Sequence, residues 1–538
     1  MTTQADKEAS DSHTSDRQAS DPGAVTGEAD TEQPTRDEVS RGSSRAADER
    51  RPAGPLRRAW SPVARHLGPA AAVFVLVAGV FGIVFATITP PFWGHDEITQ
   101  FGRAYQVAHG GFTPERITDD RGVSYGGQIP LSIDGLMGYA FTDYNRHPTE
   151  PAPLAADETA YDRLGSAPVT TTATKQMWFT NTAAYSPLPY VPAAVGIRLA
   201  QAVGLDVGDT VLLTRLAGLL AYLVIVAFAL RALRAFRIQW LAFTVAVLPI
   251  ALFQAGTVTA DTVTNALAVL VSCLVVKGVF LDTRLTKPEV AAALAATLAL
   301  PLSKPTYVIL AMLVVLIPAR QYGFGKVLRW LPWCFAALGA ILFAVWMKIA
   351  APTGDGMGLM RKPAEWHSVR PGDQLHEILS NPVHFANTFG DSIWYRDEKW
   401  FTQFFGELGF AYVDVPALSI LACLLALAVS VGIADRLTGN RWRTWIVALA
   451  VLASVAMIYV TLYMSFTPVG YWMIDGVQGR YFVPLAIAGF AVLLRWMPLR
   501  LSDSRGVTPV RGPAITVVVA TVVALTAAAI KYNVLIWG

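Results

Sequence analysis

The sequence predicts an all-α polytopic membrane protein, and its composition and its apolar runs both lead to this prediction. Of 538 residues, 53% are hydrophobic and only 15% are charged, and the mean hydropathy is +0.41. A soluble protein of this length is less apolar. Apolar runs of about 20 residues recur along the chain, and each is long enough to cross a hydrocarbon core of about 30 Å. All three cysteines lie inside such runs, so we expect no disulfide framework in the external loops.

The N-terminal segment, residues 1–58, has a different composition. It is rich in Ser, Asp, Glu, Arg, Ala and Gly and has few aromatic or branched aliphatic residues, so it is predicted to be a disordered tail. Arg57 and Arg58 precede the first apolar run, whereas Asp96 and Glu97 follow it. By the positive-inside rule the tail is cytoplasmic and the two carboxylates lie outside. The remaining residues, 59–538, form the predicted transmembrane domain.

Basic residues in the short loops keep the inside-outside alternation consistent over about eleven predicted spans, and this alternation places the C-terminus outside. The predicted spans are residues 70–88, 211–233, 239–258, 263–281, 290–302, 306–317, 331–349, 418–433, 445–464, 481–494 and 515–530. The external loops are about 90–210, 351–408 and 466–480, and the first is too long to be a simple connection. Residues 187–203 form a helix that is predicted to lie along the outer interface.

Two adjacent carboxylates, Asp96 and Glu97, come directly after the first span, in the sequence Pro-Pro-Phe-Trp-Gly-His-Asp-Glu. Ionisable residues at a membrane boundary are costly and are therefore candidate functional groups. The alternative is that they only help to end the helix. Arg103 follows six positions after Glu97 in a predicted helix over 99–108, from which its guanidinium could reach the site or bind a phosphate.

Two later breaks between spans carry further charges. Asp261 lies in an external turn that is rich in Thr, where it is either a second site carboxylate or a helix N-cap. Lys304 interrupts two short apolar segments in the sequence Leu-Ser-Lys-Pro-Thr. An unpaired charge at that position would be expensive, so Lys304 is predicted to face a phosphate or a carboxylate, unless it extends to the interface.

A third external turn contains Gln478, Arg480 and Tyr481 in the sequence Gln-Gly-Arg-Tyr, at the start of a predicted span. A guanidinium at the N-terminus of a helix suits a phosphate or pyrophosphate group. The alternative is a tight turn with an interfacial arginine. A carboxylate and phosphate-binding cations on one membrane face describe group transfer from a phosphate-linked donor.

No nucleotide-binding loop and no zinc-binding helix signature is present. His95 beside Asp96 is a weak candidate pair for a metal, because one imidazole and one carboxylate in sequence do not make a site. The cofactor therefore stays unassigned, and a divalent cation is left open.

Several motifs resemble, in the same order, those of a bacterial family of predicted membrane proteins, domain of unknown function 2142, over residues of about 70 to 500. They are Pro-Pro-x-x-x-x-Asp-Glu at 90–97, Phe-Gly-Arg-Ala-Tyr at 101–105, Tyr-Ser-Pro-Leu-Pro-Tyr at 185–190, Arg-Leu at 215–216, Thr-Ala-Asp at 259–261, Lys-Pro-Thr-Tyr at 304–307 and Gly-Arg-Tyr-Phe-Val-Pro at 479–484. That family is in turn similar to the GT-C glycosyltransferases. The resemblance implies a GT-C-like bundle, a catalytic role for Asp96 with Glu97 as the neighbouring candidate, and a substrate-binding role for Tyr185.

The resulting hypothesis is a membrane glycosyltransferase in a bacterial plasma membrane. It would move a sugar from a polyprenyl-phosphate donor to an external glycan, lipid or protein, with membrane lipid around it and no nucleic acid as partner. One alternative is a transporter or flippase of a lipid-linked saccharide, which would need charged residues along a path through the bilayer centre. Another is a non-catalytic membrane scaffold with the same fold.

Overall fold

The protein is described from a computed structural model, which covers residues 66–146, 153–155, 157–361, 363–410, 413–497 and 511–538. The predicted disordered tail, residues 1–58, lies outside the described residues.

The first span, α1 (Pro69–Ile88), leads into a long folded segment rather than an irregular loop. In order, this segment contains α2 (Glu97–Ala108), β1 (Glu115–Asp119), β2 (Gly122–Pro130), α3 (Leu131–Arg146), α4 (Glu158–Gly165), β3 (Thr174–Trp178), α5 (Thr180–Ala183), a 3₁₀ turn (Leu188–Tyr190) and α6 (Val191–Val203). The strands form an antiparallel sheet in the order β1-β2-β3, in which Gly126 pairs with Glu115 on one side and with Trp178 on the other. The helix predicted over 99–108 is present as α2.

Helix α6 packs alongside the next helix, α7 (Val207–Ala232). Gly196 marks the contact, because a Cβ there would lie 2.9 Å from the Cα of Thr214 and 3.0 Å from the Cβ of Ala217. A small residue lets two helix backbones approach closely, which is the usual basis of helix association in membranes. The two helices therefore run antiparallel as a hairpin, and the location of α6 along the outer interface stays a prediction.

The middle of the chain forms the centre of the bundle. It contains α8 (Gln239–Ala246), α9 (Pro249–Ala255), α10 (Ala260–Val275) with a π turn (Val276–Phe280), and α11 (Lys287–Ser303). The predicted span 239–258 is divided at Pro249, whose ring has no N–H to continue the helix. All 16 residues of α10 are buried, and this helix contacts α7 and α11.

A second break follows α11 at Lys304-Pro305. The next elements are α12 (Val308–Met312) between the 3₁₀ turns Pro305–Tyr307 and Leu313–Leu316, α13 (Ala319–Tyr322), and α14 (Leu331–Ala350) between the 3₁₀ turns Leu328–Trp330 and Ala351–Met360. The segment after α14 contains a 3₁₀ turn (Pro363–Glu365), α15 (Pro371–Ser380), α16 (Pro382–Phe405) and a two-stranded hairpin of β4 (Glu407–Leu408) and β5 (Val413–Asp414).

The last part contains α17 (Ala417–Gly432), α18 (Arg441–Ser465), a 3₁₀ turn (Gly479–Phe482), α19 (Val483–Trp496) and α20 (Arg511–Trp537). Helix α17 packs against α20, and α19 packs against α10. Within the described ranges, seven helices are long and apolar enough to cross a membrane. The other four predicted spans fold as the divided pair α8–α9, as α11, as the short apolar stretch Pro305–Leu316, and as α17. The all-α polytopic class is thus confirmed.

Candidate functional site

The turn between α1 and α2 holds its backbone in an uncommon conformation. Phe92 and Asp96 both have positive φ, at 69° and 53°; this region is strongly disfavoured for a bulky residue such as Phe, whereas Asp tolerates it better. Strained positions of this kind cluster at ligand-binding and catalytic sites. Asp96 is the residue that precedes α2, and its side chain keeps 42% of its surface exposed.

Glu97, the neighbouring candidate, has the opposite environment. Its side chain is fully buried and forms a two-pronged ion pair with Arg215 of α7, with Nε–Oε1 at 2.8 Å and Nη2–Oε2 at 2.6 Å. The backbone N–H groups of Gly94 and Val258 donate to the same carboxylate, each at 2.9 Å. Arg215 also donates to the carbonyls of Ala86, Thr89 and Pro90. Every acceptor of Glu97 is engaged, so the geometry gives it an anchoring role.

Asp261 and Lys304 form a second buried ion pair, with Nζ 2.6 Å from Oδ1. Asp261 lies in the first turn of α10, and Lys304 directly follows the last residue of α11. The other oxygen of Asp261 accepts from Nε2 of Gln254 at 2.9 Å, and Oε1 of Gln254 accepts from Asn265 at 2.9 Å. The Asp261 carboxylate is therefore oriented toward Lys304 by neutral partners behind it.

The ring of Tyr481 brings the two predicted cations together. Lys304 Nζ lies 4.3 Å from the ring centroid, and Arg480 Cζ lies 5.2 Å from it. Arg480 Nη2 is 3.5 Å from Oδ2 of Asp96. Two cations at one ring repel each other unless anions offset them, and here each has its own carboxylate. Asp96, Asp261, Lys304 and Arg480 thus converge on one place, as the sequence predicted.

Arg480 retains hydrogen-bonding capacity. The residue is only 5% exposed, and its Nε and Nη1 are buried without a partner among the described residues. An unpaired buried donor costs about 1–3 kcal/mol, and more when it is charged. An anionic oxygen pair is the natural partner for such a planar fork. The nearby Gln478 has a buried carbonyl oxygen that is likewise unpaired in the described part of the chain.

Tyr185 lies near the charged side chains of Lys304, Asp261 and Asp96, which act on its hydroxyl. Burial raises the pKa of Tyr185 to about 12, so its hydroxyl stays protonated at neutral pH. The substrate-binding role of Tyr185 stays a prediction.

His95 is buried beside Asp96, and its ring packs edge-on against Phe253 at 5.6 Å. Burial, with a further contribution from the positive charge of Arg480, holds the pKa of His95 well below its ordinary value. The imidazole is thus kept neutral. No group of three or more His, Cys, Asp or Glu side chains is placed to hold a metal ion in the part of the chain that the structure describes.

Arg103 does not face the cluster with a free guanidinium. It is fully buried and donates to the carbonyls of Gly111, Phe112 and Tyr185, at 2.9, 2.8 and 3.2 Å, and to the amide oxygen of Gln106. Burial lowers the pKa of Arg103 to about 10. These contacts tie α2 to the chain around Tyr185, so Arg103 supports the site rather than lining it.

Several residues that position the site were assigned no role from the sequence, although Arg215 belongs to one of the family motifs. Arg215 and Gln254 are polar residues within apolar runs, and that signal could have identified them. Gln403 and Trp400 of α16 contact the chain just before Arg480, and no comparable signal marks them because polar and apolar residues are mixed along α16.

The sequence matches the model of the family described as Predicted membrane protein (DUF2142) over residues 80–488, which is more than half of the chain. The chain belongs to this family. The matched range contains Asp96, Asp261, Lys304 and Arg480. The family assignment made from the motifs is thereby confirmed.

Two solved structures are similar to this member of the DUF2142 family. One is ArnT from Cupriavidus metallidurans bound to undecaprenyl phosphate, with 15% sequence identity, coverage of 86% of this chain and 76% of that chain, and a TM-score of 0.35. The other is ArnT from the same organism in the apo state, with 13% identity, coverage of 86% and 75%, and a TM-score of 0.33. No curated protein sequence matches the chain.

Proposed function

We propose that the protein is a GT-C-type glycosyltransferase of a bacterial plasma membrane. It would transfer a sugar from a polyprenyl-phosphate donor to a glycan, lipid or protein acceptor on the outer face, with its N-terminus in the cytoplasm and its C-terminus outside. The observation that carries this proposal is the pair of Asp96 and Arg480, in which an exposed carboxylate lies 3.5 Å from a buried guanidinium with two unpaired nitrogens.

In the proposed reaction the acceptor hydroxyl oxygen attacks the anomeric carbon of the sugar. The bond from that carbon to the phosphate oxygen breaks, and the proton of the hydroxyl passes to Asp96. The polyprenyl phosphate is the leaving group, and its oxygen keeps the electron pair of the broken bond. Arg480 stabilises the charge that develops on this phosphate, because its fork is already held in place.

The other residues are assigned supporting roles. Lys304 adds positive charge next to Arg480, and Asp261 and the Tyr481 ring hold its ammonium in position. An ammonium can donate three hydrogen bonds, so Lys304 can still donate one to an oxygen of the polyprenyl-phosphate sugar. Tyr185 and Gln478 would contact the sugar or the phosphate, whereas Glu97 and Arg103 would keep the two backbone segments in place.

The transferase proposal is tested with purified full-length protein in liposomes and a panel of polyprenyl-phosphate sugars, with mass spectrometry of the products. Asp96→Asn should lower transfer by about 100- to 10,000-fold, because it removes the base without changing the shape of the side chain. The matched control is Asp119→Asn, which removes a half-buried carboxylate of the same segment that forms an ion pair with Arg121, away from Arg480.

Transfer by Asp96→Asn at the wild-type rate would refute the assignment of Asp96. Movement of the lipid-linked sugar across the bilayer without a new glycosidic bond would favour the transporter instead. Binding of the donor without either event would favour the scaffold.

A further inference from the structure

The end of α16 packs directly against the chain that precedes Arg480. A Cβ on Gly479 would lie 2.1 Å from the carbonyl oxygen of Trp400 and 2.7 Å from the backbone nitrogen of Phe404, so only glycine fits. The indole N–H of Trp400 donates to the carbonyl of Val477 at 2.9 Å. The last turns of α16 therefore hold residues 477–479 on two sides.

A buried chain of hydrogen bonds from Gly479 through Gln403 to Glu407, here called the relay, adds to this contact. The backbone N–H of Gly479 donates to Oε1 of Gln403 at 2.9 Å, and Nε2 of Gln403 donates to Oε2 of Glu407. Gln403 and Glu407 are 4% and 5% exposed, and Lys399 Nζ lies 3.5 Å from the other oxygen of Glu407. Because each end of the Gln403 amide has a different partner, its orientation is determined by the network.

We propose that Gln403 and Glu407 are positioning residues for Arg480, and this inference rests on the proposed function. Gly479 is the first residue of the 3₁₀ turn that carries Arg480, so an orientation imposed on its N–H is passed to the next residue. The guanidinium must meet a phosphate with two parallel hydrogen bonds, and an error of about 1 Å in such a contact is costly. The segment between α14 and α17 thereby takes part in donor binding without touching the donor.

The relay can be broken and then rebuilt with charges exchanged. At a pH at which both side chains are ionised, Gln403→Glu places two carboxylates against each other, and their repulsion removes the hydrogen bond to Glu407 and displaces the oxygen that accepts from Gly479. In the double variant Q403E/E407Q, the carboxylate at position 403 accepts from Gly479 and the amide at position 407 donates to it. The matched control is Glu398→Gln, an exposed carboxylate on the same helix.

The probe is a short-chain polyprenyl monophosphate, titrated into the purified full-length protein in detergent and followed by calorimetry. We expect Q403E to weaken binding about tenfold, the effect of roughly one well-placed hydrogen bond in a charged site, and Q403E/E407Q to restore it to within about twofold. Wild-type binding by Q403E would overturn the inference. So would a double variant that is folded by circular dichroism and binds as weakly as Q403E.

A double-mutant cycle with Arg480→Gln separates positioning from general support. If Gln403 acts through Arg480, adding Q403E to R480Q should change binding by less than about twofold, whereas a purely structural role predicts the full additional loss. Additive losses would therefore contradict the inference. If R480Q itself binds the monophosphate like the wild type, it is the proposed function that fails. If R480Q weakens binding and Q403E does not, only the positioning role fails.

Discussion

Asp96 and Glu97 are adjacent in the sequence, yet the structure places their carboxylates in opposite environments. The side chain of Glu97 is 0% exposed and accepts four hydrogen bonds, two of them from Arg215. The side chain of Asp96 is 42% exposed and meets Arg480 at 3.5 Å, at the limit of direct contact. One ion pair is complete without a ligand, and the other is not.

This difference indicates that the Glu97 ion pair contributes to folding stability, whereas the Asp96 ion pair is available for chemistry. A buried ion pair with all its hydrogen bonds made is hard to disturb and holds its surroundings in place. A carboxylate that is exposed at a strained turn, beside a guanidinium with unpaired nitrogens, can exchange its partner for a substrate. The Glu97–Arg215 pair fixes the turn, and the Asp96–Arg480 pair is positioned by it.

The largest expected effect concerns the complete pair. Glu97→Gln leaves the Arg215 charge buried without its partner and should destabilise the protein by about 3–5 kcal/mol. The measurement is unfolding in mixed micelles with increasing SDS, followed by circular dichroism. Glu398→Gln serves as the control and should lie within about 0.5 kcal/mol of the wild type. A neutral effect of Glu97→Gln would remove the basis of the comparison.

The incomplete pair should respond in binding and transfer rather than in folding. Arg480→Gln is expected to lower the transfer rate by about 100- to 1,000-fold, as removal of a single group that stabilises developing charge does. Unfolding in SDS should change little, because Asp96 can be solvated once its partner is gone. A loss of stability comparable to that of Glu97→Gln would place Arg480 with the anchoring residues.

The Asp261–Lys304 pair is intermediate, since it is buried but lies at the site. Asp261→Asn strands the Lys304 ammonium and should cost about 1–3 kcal/mol of stability. The double variant Asp261→Asn/Lys304→Met removes both charges and should recover most of that loss. The same SDS titration measures both variants. Equal instability of the single and double variants would show that the pair is not the source of the loss.

The smallest expected effect is that of Tyr185→Phe. Because burial raises the pKa of Tyr185 to about 12, the hydroxyl does not ionise between pH 6 and pH 10. The variant should therefore lower transfer only about five- to tenfold, the loss of one hydrogen bond, without altering the shape of the rate profile over that pH range. A profile that changes shape in the variant would show that Tyr185 titrates during the reaction.

Much of the candidate site could be predicted because a charged residue beside an apolar run costs free energy, and such residues can be recognised in the sequence. Asp96, Asp261 and Lys304 are charges at the ends of apolar runs, where only a partner or a function compensates for them. Arg103 shows the limit of this reasoning, since the same signal is produced by a guanidinium that is engaged by three backbone carbonyls. A residue type and its spacing do not say which contacts a side chain makes.

By itself, the sequence determined the helical membrane class, the position of the first long loop and the group of charges at one end of the spans. These follow from apolar length and from the cost of burying charge, which are local properties of the chain. Only the tertiary structure decided that Glu97 anchors while Asp96 stays exposed, that α6 packs along α7, and that α16 reaches Gly479. Each depends on contacts between residues that are distant in sequence, such as the 118 positions between Glu97 and Arg215.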